Sequence, residues 1–129
     1  NIEQLIWEKL LCNVTLSGPC SIFRCNVQEL RNKKEYWTFA LNCMQEAYAV
    51  GLAKGIPFSF DDPIDYVTDF AKRVGSAKPS MLQDFEAKKK TEIAFINGAI
   101  PPLAAEFKIL TPFNNNVCKI IHDAEKRFR

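Results

Sequence analysis

Strand alternation is nearly absent from this 129-residue chain, which removes sheet-based folds from consideration. Charge of one sign is lacking too. A net charge of +2 gives no electrostatic reason to expect nucleic acid or an anionic membrane as a partner. The densest basic cluster, Lys88-Lys89-Lys90, is diluted by Asp84, Glu86 and Glu92, and it reads as a solvated helix face. Histidine is scarce, with His122 alone, and Cys12, Cys20, Cys25, Cys43 and Cys118 make an odd set without framework spacing. Zinc needs ligands in convergent pairs, so no metal is expected, and reduced thiols in a cytoplasmic protein are the simplest reading. No apolar leader, repeat period, low-complexity segment or Gly-rich phosphate loop is present. Asn13-Val14-Thr15 fits the glycosylation pattern, but it falls within an expected helix and no secretion signal precedes it.

What the chain does contain is enough apolar material for one domain. Hydrophobic residues make up 47% and charged residues 25%, ordinary globular values, and a domain of this size removes roughly two-thirds of its unfolded surface from water. The chain begins at Asn1 and enters helical periodicity at once, as an excised domain would. Residues 2 to 17 are expected to form a first helix, stopped by Gly18-Pro19. Asn26 with Glu29 makes a capping box for a short helix. A long helix is expected from Lys33 to Lys54, with Trp37, Leu41, Met44, Tyr48 and Leu52 on one stripe and Gly55 closing it. Asp62 caps the next, with Pro63 at its first position and Ile64, Val67, Phe70 and Val74 facing inward before Gly75. Ser80 with Gln83 reads as a capping box opening the helix that carries the lysine run. Thr91 starts a further stretch, interrupted by Gly98 and Pro101-Pro102. Thr111-Pro112 opens a last helix to about Phe128. The result is an all-α fold, an irregular bundle of about seven helices.

Polar residues stand where the core should be. On a wheel of ~100° per residue, Ile2, Leu5, Ile6, Trp7, Leu10, Leu11, Val14 and Leu16 fill one arc of the first helix. Lys9, Asn13 and Ser17 fall inside that arc, four apart, so they stack on one line and can face a common space. Glu92 likewise sits among Phe95, Ile96 and Ala99. A buried charge costs several kcal/mol unless it finds a partner, a ligand or a route back to water. Lys9 snorkelling to solvent and Glu92 as a first-turn acid favoured by the helix dipole would each satisfy that demand. The functional alternative is a polar pocket between helices. In such a pocket a lysine can protonate an oxygen gaining negative charge, amide and hydroxyl donors suit a carbonyl or carboxylate, and a glutamate can orient the lysine. Those parts match protonation of a ketone, with the hydride coming from elsewhere.

The stretches WEKLLCN (7 to 13), KPSMLQD (78 to 84), TEIAFING (91 to 98) and TPFNNNV (111 to 117), in this order and spacing, resemble the C-terminal domain of the ketopantoate reductase family. The similarity spans essentially all of residues 1–129. It implies the helical domain of 6-phosphogluconate-dehydrogenase-like reductases, following an N-terminal Rossmann domain that binds NADPH and is absent from this chain. The two would clamp ketopantoate for reduction to pantoate, in pantothenate and coenzyme A synthesis. By position, the resemblance implies that Lys9 is the catalytic proton donor and Glu92 its acid. Asn13 would touch the substrate and Ser80 its carboxylate. Ser17 stands where the family commonly has a second asparagine, so the hydroxy-acid end of the substrate would be held differently. The domain alone is expected to be inactive. The partners implied are a small 2-oxo acid and the Rossmann domain, with a homodimer admissible. Reduction of another branched or aromatic 2-oxo acid, or a non-catalytic dimerisation module, are the alternatives.

Overall fold

The computed structural model describes residues 1–128, and seven α-helices account for most of them. They are α1 (Ile2–Phe23), α2 (Val27–Asn32), α3 (Lys34–Ala53), α4 (Pro63–Val74), α5 (Ser80–Glu86), α6 (Ile100–Ala105) and α7 (Pro112–Glu125). Two 3₁₀ turns, Ile93–Phe95 and Asn97–Ala99, bridge α5 and α6. Among the described residues there is no strand, and no helix is long and apolar enough to cross a membrane.

Helix α1 is the axis of the bundle and packs against α2, α3, α4, α5 and α7. Its central residues reach complete burial at Leu11, Val14 and Cys20. The expected stop at Gly18-Pro19 does not occur, because α1 runs on to Phe23. Proline inside a helix removes a hydrogen bond and crowds the preceding turn. Here residues 14 to 21 are all buried, and core contacts hold the helical path through that defect. Gly18 serves a different purpose. A Cβ there would collide with Asn97 Oδ1 and come within 2.7 Å of Val117 Cγ1, so the glycine lets α7 and the second 3₁₀ turn lie directly on α1. The helix ends at Arg24, which takes a left-handed conformation at φ 52° and donates its N–H to Cys20 O.

Two apolar clusters flank this axis. The larger unites Trp7, Leu11 and Val14 with Met44, Val50, Ile93, Ile100, Val117 and Ile121. The smaller gathers Leu16, Cys20, Val27, Leu30, Ala40 and Leu82 at the other end, with Phe70 and Val74 packed against it. The expected inward face of α1 fails in its first turns, since Ile2, Leu5 and Ile6 are 77%, 65% and 58% exposed. Among the described residues no element lies over that turn, and periodicity alone cannot supply one. Leu52 and Ile64 are exposed for the same kind of reason, being at the last and first turns of their helices.

Local signals succeed where the chain supplies its own partner. The Asn26–Glu29 capping box forms in full, and Asp62 accepts from Ile64 N and Asp65 N with Pro63 beginning α4. They fail elsewhere. Ser80 is the first residue of α5, whose cap is Pro79 without a side-chain bond, while Gln83 donates instead to Lys78 O. The lysine run lies beyond the end of α5, exposed, with Lys88 at φ 59°. Thr91 starts no helix, and Pro101-Pro102 occupies the first turn of α6, where proline's missing N–H costs nothing. Thr111 makes no side-chain cap on α7, which ends at Glu125 rather than near Phe128.

Candidate active-site cleft

A cavity of about 250 Å³ opens between α1, α5 and the first 3₁₀ turn, lined by Lys9, Asn13, Ser17, Ser80, Met81, Asp84, Glu92 and Ile96. All five residues singled out from the sequence therefore border one space. Lys9, Asn13 and Ser17 come from successive turns of α1, as their spacing of four requires. Ser80 and Asp84 are likewise four apart on α5, one face of a single turn. Glu92 and Ile96 flank the 3₁₀ turn.

The chemistry of the cleft is that of uncommitted groups. Among the described residues, the Lys9 ammonium, the Asn13 amide and the Ser17 and Ser80 hydroxyls make no hydrogen bond to protein. No ion pair within 4.0 Å joins Lys9 to Glu92. Lys9, Ser80 and Glu92 are exposed, Asn13 is half-buried and Ser17 is buried. Glu92 thus stands at an open rim rather than inside an apolar patch, and its neighbour Phe95 is 76% exposed. Because Pro79 takes the cap position, the Ser80 hydroxyl is not spent on the backbone of its own helix. One cation, several neutral donors and two carboxylates converge on a volume fit for a small polar ligand. No group of three or more His, Cys, Asp or Glu among the described residues is arranged to hold a metal ion.

What fixes these walls is a buried polar network that the sequence reading missed. Asn97 is fully buried, and its Nδ2 donates to Val14 O (3.1 Å) and Asn114 Oδ1 (2.8 Å). Asn114 Nδ2 in turn donates to Cys43 O at 3.0 Å and to Glu46 Oε1 at 2.8 Å. Glu46 also accepts from Phe113 N and Asn114 N, at 2.9 and 3.0 Å. The segment bearing Glu92 and Ile96 is thereby tied to the helix bearing Asn13. Glu125 fixes the other end of that segment, accepting from Thr91 N (2.7 Å) and Thr91 Oγ1 (2.6 Å). A second omission is Glu8, beside Lys9 but buried, which accepts from Ser59 N at 2.7 Å and Gln4 at 3.3 Å. Asp84 was legible in principle as Ser80's neighbour one turn on. The asparagines carry no local pattern that separates them from loop residues, and only their partners reveal them.

All five cysteines are unpaired. Burial pushes the Cys12 thiol up to about 11, and those of Cys20 and Cys43 higher still, so none of the three is a ready nucleophile at neutral pH.

Comparison with known proteins identifies the family to which this fold belongs. Residues 1–125 match the family described as Ketopantoate reductase PanE/ApbA C terminal. The 2-dehydropantoate 2-reductase of Streptococcus pyogenes serotype M6 is 29% identical over 126 residues, which is 97% of this chain and 41% of that protein. The structure of a PanE/ApbA family ketopantoate reductase from Ralstonia eutropha JMP134 superposes with a TM-score of 0.90 at 23% identity, over 98% of this chain and 42% of that one. D-mandelate dehydrogenase in ternary complex with NADH and anilino(oxo)acetate gives a TM-score of 0.86 at 25% identity, over 99% and 42%. The chain spans about two-fifths of the length of the relatives it matches.

Proposed function

This chain belongs to the ketopantoate reductase PanE/ApbA C-terminal family, and from that premise we propose that it is the substrate-gripping, proton-donating domain of an NADPH-dependent 2-dehydropantoate 2-reductase. The reaction takes ketopantoate to pantoate, a cytoplasmic step toward pantothenate and coenzyme A. The observation that carries the reading is the meeting of Lys9, Asn13, Ser17, Ser80 and Glu92 around one cleft with their polar atoms unspent.

Reduction of a ketone needs a hydride at carbon and a proton at oxygen. The hydride would come from NADPH held by a Rossmann domain that, in this reading, precedes the helical domain in the full-length protein. The described residues of this chain contain no strand and so no Rossmann phosphate loop, and its contribution toward the nicotinamide is the open mouth of the cleft where Lys9 and Glu92 stand exposed. Lys9 Nζ hydrogen-bonds the keto oxygen and transfers a proton to it as the C–O bond becomes single, so no free alkoxide accumulates. Glu92 borders the same cleft without an ion pair to Lys9, and its charge would offset that of Lys9 once substrate and the other domain close the mouth. Asn13 and Ser17 donate to the hydroxyl and carbonyl oxygens, and Ser80 to the carboxylate. Closure of the other domain over the mouth excludes water and strengthens each of these contacts.

A second reading keeps the same residues and changes the acid. It is favoured by the likeness to a D-mandelate dehydrogenase seen with an anilino(oxo)acetate ligand, and it makes the substrate a bulkier 2-oxo acid.

NADPH consumption by the full-length parent protein, with ketopantoate and a panel of 2-oxo acids, tests both. Lys9→Ala is expected to lower kcat by about 10²-fold or more with ketopantoate. An unchanged rate would remove Lys9 from the chemistry, and preference for another acid would select the second reading.

A further inference from the structure

Cys20 and Cys25 are thiols to which the cleft gives no task. Cys20 lies in the last turn of α1 and Cys25 just beyond its end, and both belong to the smaller core cluster, 0% and 7% exposed. Their spacing in sequence announces no pair. The helix end makes one, because Arg24 turns the chain back in its left-handed conformation and Cys25 N donates to Cys20 O at 3.1 Å. In a helix ending of this kind the two residues joined by that bond bring their side chains together. The thiols of Cys20 and Cys25 accordingly stand within hydrogen-bonding reach of each other. We propose that Cys20 and Cys25 are a redox pair, which a peroxide converts to a reversible intramolecular disulfide while Cys12, Cys43 and Cys118 stay reduced.

Geometry, access and chemistry agree on this pair. A disulfide needs Cα atoms about 4.4–6.8 Å apart, and a backbone hydrogen bond between the same two residues holds them near that reach. Closing the bond leaves α2 in place, since the Asn26–Glu29 capping box starts that helix independently of Cys25. Among the described residues no such contact joins the other thiols. Cys43 and Cys118 interact only through charge, and Cys12 neighbours Glu8 and Arg73 rather than a cysteine. Cys25 is the least covered of the four buried thiols, so it meets the oxidant first. Burial and the Glu29 carboxylate push its thiol up, with contact to Cys20 pulling the other way, so the pair responds slowly, to sustained oxidant. The Cys25 thiolate attacks one peroxide oxygen and breaks the O–O bond. Cys25 becomes a sulfenic acid, and the second oxygen leaves as water with the thiol proton. The Cys20 sulfur then displaces the Cys25 hydroxyl, which departs as a second water with the Cys20 proton. Two thiols thus lose two electrons, and one peroxide is reduced to two waters.

The test exposes the folded full-length parent protein to rising doses of hydrogen peroxide. Remaining thiols are then alkylated with iodoacetamide in urea, and the protein is digested with trypsin without reductant. Trypsin cuts after Lys9, Arg24 and Arg31, so residues 10–24 and 25–31 are separate peptides unless a disulfide joins them. The expected product is the joined pair, lighter by two hydrogens than its reduced parts, with the bond placed at Cys20 by fragmentation and not at Cys12. Alkylation of Cys20 and Cys25 should be lost together and return together after dithiothreitol, at doses that leave Cys43 and Cys118 fully alkylated. Cys25→Ser should leave Cys20 fully alkylated at the same dose, and the wild-type peptide map decides the matter even where that variant does not fold. Separate peptides at doses that already modify another cysteine would overturn the proposal. So would a bond from Cys25 to Cys12, or a joined pair that forms only when the protein is unfolded during oxidation.

Discussion

Asn97 shows how much a single buried amide can organise. Its Nδ2 serves Val14 O and Asn114 Oδ1 at once, and its Oδ1, buried without a partner, lies against Gly18. Replacing it leaves the Asn114 carbonyl unpaired and opens a void, so Asn97→Ala is expected to cost about 2–4 kcal/mol in urea unfolding. A cost within experimental error would show that the network does not hold the wall of the cleft. Glu8 makes a separate, pH-dependent contribution. Burial pushes its carboxyl up, but hydrogen bonds from Ser59, Gln4 and Tyr66 outweigh that and leave it below its ordinary value. A carboxyl lowered in the folded state stabilises above its unfolded value of about 4.3 and loses that contribution as pH falls through the folded value. Stability measured from pH 6 down to pH 3 should therefore fall less steeply for Glu8→Gln than for the wild type.

Among the elements, α7 carries the plainest lesson about helix starts. Thr111-Pro112 has the local look of a cap, yet Thr111 does not cap. The N–H groups of Phe113 and Asn114 are taken by Glu46 from the middle of α3, a carboxylate well placed at the positive end of a helix. Glu46→Ala should destabilise the domain by about 1.5–3 kcal/mol. Thr111→Ala should cost less than half as much, and thermal unfolding of the pair decides between a local and a long-range cap. Helix α1 teaches the converse. Glycine and proline end helices when the following residues gain nothing by staying helical, but here residues 19 to 21 are buried against α2 and α3, and that burial outweighs a penalty of about 3 kcal/mol.

For the whole molecule, the two core clusters and the enclosing helices describe a unit able to fold on its own, and on the reading proposed above its cleft is one half of a site. Residues 1–129 expressed alone should unfold cooperatively in urea and leave NADPH and ketopantoate unreacted at any concentration tested. Turnover by the isolated chain would contradict the assignment of hydride delivery to a separate domain. The exposed Ile2, Leu5 and Ile6 belong to this scale, because no described element packs over that apolar stripe at the start of α1.

The helical class, the number of helices, the caps at Asn26 and Asp62 and the alignment of Lys9, Asn13 and Ser17 were set by the sequence alone. Each depends on residues within a turn or two of one another, where spacing fixes geometry. Which side of that line meets Ser80 and Glu92, that Ser80 keeps its hydroxyl free, and that Glu46 rather than Thr111 caps α7 were decided only by tertiary structure. Those features join groups dozens of residues apart, and a hydrogen bond or a cavity between such groups comes into being only when packing brings their helices together.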